Sequence, residues 1–190
     1  TLLASSAASD VYKRQGTYTH GTSKGIQVYD VDVENGTLTE RSEVEVSNAS
    51  HLAVSKNGKY LYSIEDEGVA VFERDENGDL SRINSVDING MRGCYLATDV
   101  DGRYLYVAGY HDGKVTVVHT HKDGRLGSVM DGVFHKGLGS VAERNFRPHV
   151  NCVRPTPDNK YLCAVDNGID QVKIYRICLL YTSDAADEAR

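Results

Sequence analysis

Apolar and polar positions alternate along this chain in short bursts, and tight-turn residues separate the bursts. Gly25-Ile26-Gln27-Val28-Tyr29-Asp30-Val31 has a period of two, as expected of a strand whose successive side chains leave on opposite faces. Asn35-Gly36 follows as a hairpin dipeptide, and Leu38–Val46 predicts the next strand, with Val44 and Val46 on one face. His51–Val54, Tyr60–Ile64, Gly68–Phe72 and Leu80–Ile88 predict four more strands, with breaks at Asn57-Gly58, Glu65–Glu67 and Asn77-Gly78. Cys94–Val100, Tyr104–Ala108, Lys114–Val118 and a strand from Leu126 copy that set. A further copy starts near Asn151 and passes through Tyr161-Leu162 to Gln171–Tyr175, stopping where a fourth strand is due. No stretch has a 3.6-residue period, so almost no helix is expected.

The copies share a ruler. Asn57-Gly58-Lys59-Tyr60-Leu61-Tyr62, Asp101-Gly102-Arg103-Tyr104-Leu105-Tyr106 and Asp158-Asn159-Lys160-Tyr161-Leu162-Cys163 each run a polar turn into an alternating strand. Tyr60 to Tyr104 is an interval of 44, whereas Tyr104 to Tyr161 is 57. The surplus of 13 residues falls within Ser128–Arg147. Four short strands per unit of about 40–50 residues describe a propeller blade. WD40 repeats have this period but carry a Trp-Asp pair, and the chain has no Trp; kelch-type blades stay open. The expected fold is all-β: an incomplete β-propeller of four-stranded antiparallel blades. A chain that cannot close its ring exposes strand edges, so the isolated piece is expected to be poorly soluble and inactive.

Composition narrows the partners. Of 190 residues, 21 are Lys or Arg and 27 Asp or Glu, a net charge of −6 without a basic run. This argues against nucleic acid and against an anionic membrane surface. No apolar run nears the roughly 20 residues of a membrane-spanning helix. Cys94, Cys152, Cys163 and Cys178 form no Cys-x-x-Cys pair and have no zinc-spaced histidines beside them. They read as reduced thiols of a cytoplasmic protein, with no metal or cofactor expected. His119, His121 and His135 read as surface histidines. The ends differ from the rest: residues 1–15 and 178–190 resemble translated sequencing-adapter read-through and are set apart from the partial propeller at 16–177.

In an antiparallel four-stranded blade, alternate connections lie on opposite faces. One face takes the repetitive turns at Asn57-Gly58, Asn77-Gly78, Asp101-Gly102, Asp123-Gly124 and Asp158-Asn159, which are generic turn chemistry. The other takes the irregular polar loops, including the insert Ser128–Asn151, and there binding residues are expected. This gathers His51, Glu65, Arg92, Tyr110, His111, Arg144, His149, Asp166 and Asp170 at one end of the propeller. The densest chemistry is Arg144-Asn145-Phe146-Arg147-Pro148-His149-Val150-Asn151. Two guanidiniums suit a phosphate or carboxylate, and His149 suits general acid–base work near neutral pH. Asp166 or Asp170 is a candidate to orient His149 or bind a sugar hydroxyl, and Tyr110 to stack on a ring. Each also has a plain reading as a turn or packing residue.

With these residues in view, the chain resembles the lactonase family of seven-bladed propellers, of 6-phosphogluconolactonase type, over about 3.5–4 of the seven blades. The likeness rests on Gly16-Thr17-Tyr18-Thr19, Ser23-Lys24-Gly25-Ile26, Asn48–Ala53, Gly58–Tyr62, Asp101–Leu105 and Thr156-Pro157-Asp158. The insert is its most specific part, with Arg144–Asn151 and then Asp166-Asn167-Gly168-Ile169-Asp170. Against the family pattern, Asn145 stands for Gln and Asn151 for a second His. The resemblance implies hydrolysis of 6-phospho-D-glucono-1,5-lactone to 6-phosphogluconate, a step of the pentose phosphate pathway. It implies His149, Arg144 and Asp170 as catalytic residues. With the loop-face residues Tyr110, Glu65 and His51, the resemblance makes Arg147, Asn151 and Asp166 the expected contacts to a phosphorylated sugar lactone. Another carboxylated lactone, or a non-catalytic binding propeller, remains as an alternative on the same scaffold.

Overall fold

A computed structural model describes residues 12–178 except 142 and 144. It contains fourteen strands in four antiparallel sheets, with no helix among the described residues. The first sheet is β1 (Tyr12–Gly16), β2 (Gly25–Asp32) and β3 (Thr37–Glu45). The second is β4 (Leu52–Val54), β5 (Tyr60–Ile64), β6 (Gly68–Arg74) and β7 (Leu80–Asp87), in sequence order. The third repeats this meander with β8 (Tyr95–Thr98), β9 (Tyr104–Gly109), β10 (Lys114–Thr120) and β11 (Leu126–Phe134). The fourth has β12 (Val150–Pro155), β13 (Tyr161–Asp166) and β14 (Gln171–Arg176). The sheets do not close on one another, so the architecture is that of an incomplete propeller of about four blades.

The middle strands are apolar at consecutive positions because both of their faces are packed. In β5, Leu61 joins Ile26, Val46 and Phe72 between the first two sheets. Its neighbours Tyr60, Tyr62 and Ile64 join Leu96, Leu105 and Val107 between the second and third. In β9 the same alternation sends Leu105 and Val107 back, and Tyr106 and Ala108 forward to Val150, Val153 and Leu162. All five β5 residues are buried, whereas the first five residues of β3 are exposed. The gradient from inner to outer strand is what sheets stacked face to face around an axis produce. β14 sits at the positions of β6, yet its Val172 and Ile174 are exposed where Val69 and Val71 are fully buried.

Tight turns occupy one end of every sheet. Gly58, Gly78, Gly102 and Gly124 all have φ between 71° and 85°, and Asn159 takes the equivalent place at 56°. Two of these turns also pack on the preceding sheet, Gly78 against the Tyr12 ring and Gly124 against the Tyr60 ring. Tyr12–Gln15, set apart by sequence, are strand residues: they pair with β2 in register, and Arg14 donates to the Gly78 carbonyl at 2.6 Å. Residues 1–11 and 179–190 lie outside the described residues.

The long interval resolves within the span expected for it, but starts later. β11 carries on to Phe134, bulging twice against β10, so Ser128–Phe134 belongs to the blade. The true insert is 135–149, between β11 and β12.

Candidate active site

The loops at the other end of the sheets converge on Pro148-His149, the step that enters β12. The backbone here is squeezed between two glycines. A Cβ on Gly168 would lie 1.9 Å from the Arg147 carbonyl oxygen, and one on Gly113 2.6 Å from Pro148 Cβ. Gly113 also has φ of +64°, which favours glycine independently. The His149 backbone N–H donates to Asp166 Oδ1 at 2.7 Å, and the Gly168 N–H donates to the same oxygen at 2.9 Å.

His149 is nearly buried, its ring stacked on Tyr110 with centroids 4.4 Å apart and planes 20° from parallel. Phe146 meets it edge-on at 6.4 Å. Nδ1 lies 2.8 Å from the Tyr110 carbonyl oxygen. A carbonyl only accepts, so Nδ1 carries the hydrogen, and the neutral ring keeps its lone pair on Nε2. His51 has the opposite tautomer. Its Nδ1 accepts the Leu96 N–H at 3.2 Å, which makes Nε2 the donor. Burial pushes the His51 pKa down, so the ring stays neutral as it lies against Tyr95 at 4.2 Å. This end of the sheets thus holds one imidazole that can take a proton and one that can donate a hydrogen bond.

Not every residue expected at this site serves it directly. Asp166 does not touch the His149 imidazole and is not open to a ligand. It is 1% exposed, with one oxygen on the two amides and the other 2.6 Å from His135 Nδ1. Asp170 does not orient the imidazole either. It accepts the amide and hydroxyl of Ser140, both at 2.7 Å, and Asn145 Nδ2 at 2.8 Å. The Ser140 donors, then Asn145, hold its carboxyl below the usual range. The two aspartates of the Asp-Asn-Gly-Ile-Asp stretch are therefore anchors for the insert. Glu65 is ion-paired with Arg82 of β7 at 2.7 Å, its side chain 16% exposed.

The structure brings Tyr110 and His149 together, and the Tyr110 backbone carbonyl is the group that orients the imidazole. Asn151 is the bulged residue of β12, the extra position between the pairs Val150↔Asp166 and Cys152↔Val165. A bulge re-aims a side chain, and the Asn151 Oδ1 is buried without a hydrogen-bond partner among the described residues. Arg147 is exposed, its guanidinium over the Phe146 ring at 5.6 Å, with no ion pair to any described residue. Arg144 lies outside the described residues. Nearby, Asp66 joins three loops: Asn48 donates to it at 2.7 Å and Arg92 at 3.1 Å, with Arg92 also over the Tyr18 ring. Asn48 first, then Arg92, lowers the Asp66 pKa.

His135 is not the surface histidine that its sequence context suggests: its side chain is 0% exposed. The sequence signal for it is its place within the long interval. No cluster of three or more His, Cys, Asp or Glu able to hold a metal is found among the described residues.

Comparison with known proteins bears on the fold and the family. The sequence model of the family described as "Lactonase, 7-bladed beta-propeller" matches residues 14–185. The chain is 36% identical over 168 residues to a 6-phosphogluconolactonase of Bacillus subtilis, covering 85% of this chain and 48% of that protein. Among solved structures, a Bacteroides fragilis protein to which 6-phosphogluconolactonase activity is ascribed superposes with a TM-score of 0.84 at 38% identity. That superposition covers 92% of this chain and 50% of the other. The Pseudomonas aeruginosa periplasmic gluconolactonase PpgL gives a TM-score of 0.80 at 31% identity, covering 86% and 49%. The chain spans about half the length of the curated relatives it matches. On the strength of the family match over most of its length, the chain belongs to the lactonase family of seven-bladed β-propellers.

Proposed function

We propose that the full-length protein carrying these residues hydrolyses a sugar δ-lactone, with 6-phospho-D-glucono-1,5-lactone as the first substrate. The observation that carries this reading is the His149 tautomer, with Nδ1–H held by the Tyr110 carbonyl and Nε2 left basic. Nε2 takes a proton from a water whose oxygen attacks the lactone C1. The carbonyl oxygen gains the negative charge, and an N–H donor such as His51 Nε2 is suited to receive it. As the tetrahedral adduct collapses, the C1–ring oxygen bond breaks. The imidazolium returns its proton to the departing oxygen, which leaves the open-chain acid. Arg147, cationic and exposed, suits the phosphate. Asn151 cannot shuttle a proton, and this scheme does not ask it to, because His149 supplies the base and the acid in turn.

The test is lactone hydrolysis by full-length protein, followed by acid release against the spontaneous rate. His149→Ala is expected to lower kcat/KM by about 10²-fold or more, and a variant that keeps the parent rate overturns the assignment. A second reading, an unphosphorylated gluconolactone, is favoured by the likeness to PpgL. Arg147→Ala separates the two readings. It raises KM for the phosphorylated lactone alone if the phosphate is recognised, and leaves both lactones unaffected if it is not.

A further inference from the structure

We infer that His135 is a positioning residue for His149, acting through the buried carboxylate of Asp166. This rests on the reading of His149 as the base. His135 is the first residue after β11 and His149 the last before β12, so they begin and end the insert. Asp166, at the end of β13, holds both: Oδ2 lies 2.6 Å from His135 Nδ1, and Oδ1 accepts the His149 amide at 2.7 Å. Because a carboxylate only accepts, His135 presents Nδ1–H to it. His135 Nε2 is buried with no hydrogen-bond partner among the described residues, so nothing there competes for the tautomer.

The groups around the pair are few and fixed. Lys173 and Tyr175 of β14 face His135, the Tyr175 ring at 6.0 Å. The His135 amide donates to the carbonyl of Gly113, the glycine under Pro148. Tyr110, Phe146 and the Asp166 carboxylate lie around His149, with His111 edge-on to Tyr110. Burial lowers the pKa of His135 more than the Asp166 bond raises it, which keeps His135 a neutral donor. The His135 ring and the His149 amide thus share one carboxylate, which lies behind the His149 backbone. Without the His135 donor, Oδ2 has no partner among the described residues, and only the His149 and Gly168 amides on Oδ1 hold the carboxylate in place.

The experiment uses two variants of the full-length protein with labelled histidines. His135→Leu removes the donor, whereas His135→Asn keeps an N–H close to the Nδ1 position. Two-dimensional nitrogen–proton spectra of the imidazoles read the His149 tautomer and its titration from pH 5 to 8, independently of any substrate. His135→Leu is expected to lose the single Nδ1–H form of His149 and to shift its titration. It is also expected to lower kcat by about tenfold or more at little change in KM, with the acid limb of the pH–rate profile displaced. His135→Asn is expected to restore the tautomer and most of the rate. Unchanged His149 resonances in a folded His135→Leu overturn the proposal. If the leucine variant does not fold, loss of the Nδ1–H form in His135→Asn overturns it. Absence of lactone hydrolysis in the parent with the expected spectral changes refutes the proposed reaction and leaves the positioning intact.

Discussion

Gly168→Ala isolates the cradle that sets His149. The added Cβ would stand 1.9 Å from the Arg147 carbonyl oxygen, 2.7 Å from the His149 nitrogen and 2.8 Å from the Pro148 carbonyl carbon. Ordinary contact begins at 3.4 Å, so about 1.5 Å of separation must be found, and the three nearest atoms are all backbone. The 147–149 segment has to move away from β13. That motion stretches the charge-assisted bonds from the His149 and Gly168 amides to Asp166. Bonds of this kind contribute roughly 1.5–3 kcal/mol each, and partial loss of both costs about 2–4 kcal/mol. A catalytic group misplaced by about 1 Å loses on the order of 10²-fold in rate. The assay is steady-state lactone hydrolysis together with a urea melt, on the full-length protein. Gly102→Ala is the control. Its Cβ meets nothing within 4 Å, and its φ of +73° predicts only the backbone penalty, about 1–2 kcal/mol, with activity retained. A Gly168→Ala protein that folds and stays within twofold of the parent kcat refutes the cradle.

Three other outcomes are expected. Burial depresses the pKa of both His51 and His135. The unfolded chain, titrating near 6.5, therefore binds more protons than the folded one just below that pH. Stability should be full above about pH 6.5 and fall as pH drops through the folded values; urea midpoints that are flat from pH 7.5 to 5 contradict this. Glu65→Gln breaks only the partly exposed pair with Arg82, so kcat/KM should stay within about twofold and stability fall by no more than ~1 kcal/mol; a large loss of hydrolysis would restore Glu65 as a substrate contact. Lys114→Met should cost about 2–4 kcal/mol in a denaturant melt with little effect on kcat, because the buried Nζ donates to the Ile88 and Asn89 carbonyls at 2.9 Å each.

The blades were legible because their physics is local. Alternation marks a strand, consecutive apolar residues as in Val69–Phe72 mark one packed on both faces, and Asn-Gly or Asp-Gly marks the turn between. The broken interval also pointed to the right stretch. It was drawn too wide at its start because Ser128–Phe134 pairs with β10 through two bulges, which break the alternation that marks a strand. The site was half legible. His149 stood out by type, but its orienting partner is a backbone carbonyl, which no residue name reveals. Asp166 and Asp170 have the chemistry of catalytic groups. Their roles depend on which donors the insert folds against them, and those contacts link residues 17 to 31 apart.

The clamp on the insert makes its length matter little to the chemistry. Asp166 closes residues 135 and 149 onto one carboxylate, and Asp170 pins Ser140 and Asn145 between them. The excursion is thereby divided into short spans, each tied at both ends to the rigid turn after β13. Lengthening such a span changes its closure entropy only logarithmically, by about 0.6 kcal/mol per doubling. Residues can therefore be added or removed between the pins while His149 keeps its place at the mouth of β12. The segment is free to acquire new side chains for new lactones without renegotiating the position of the base.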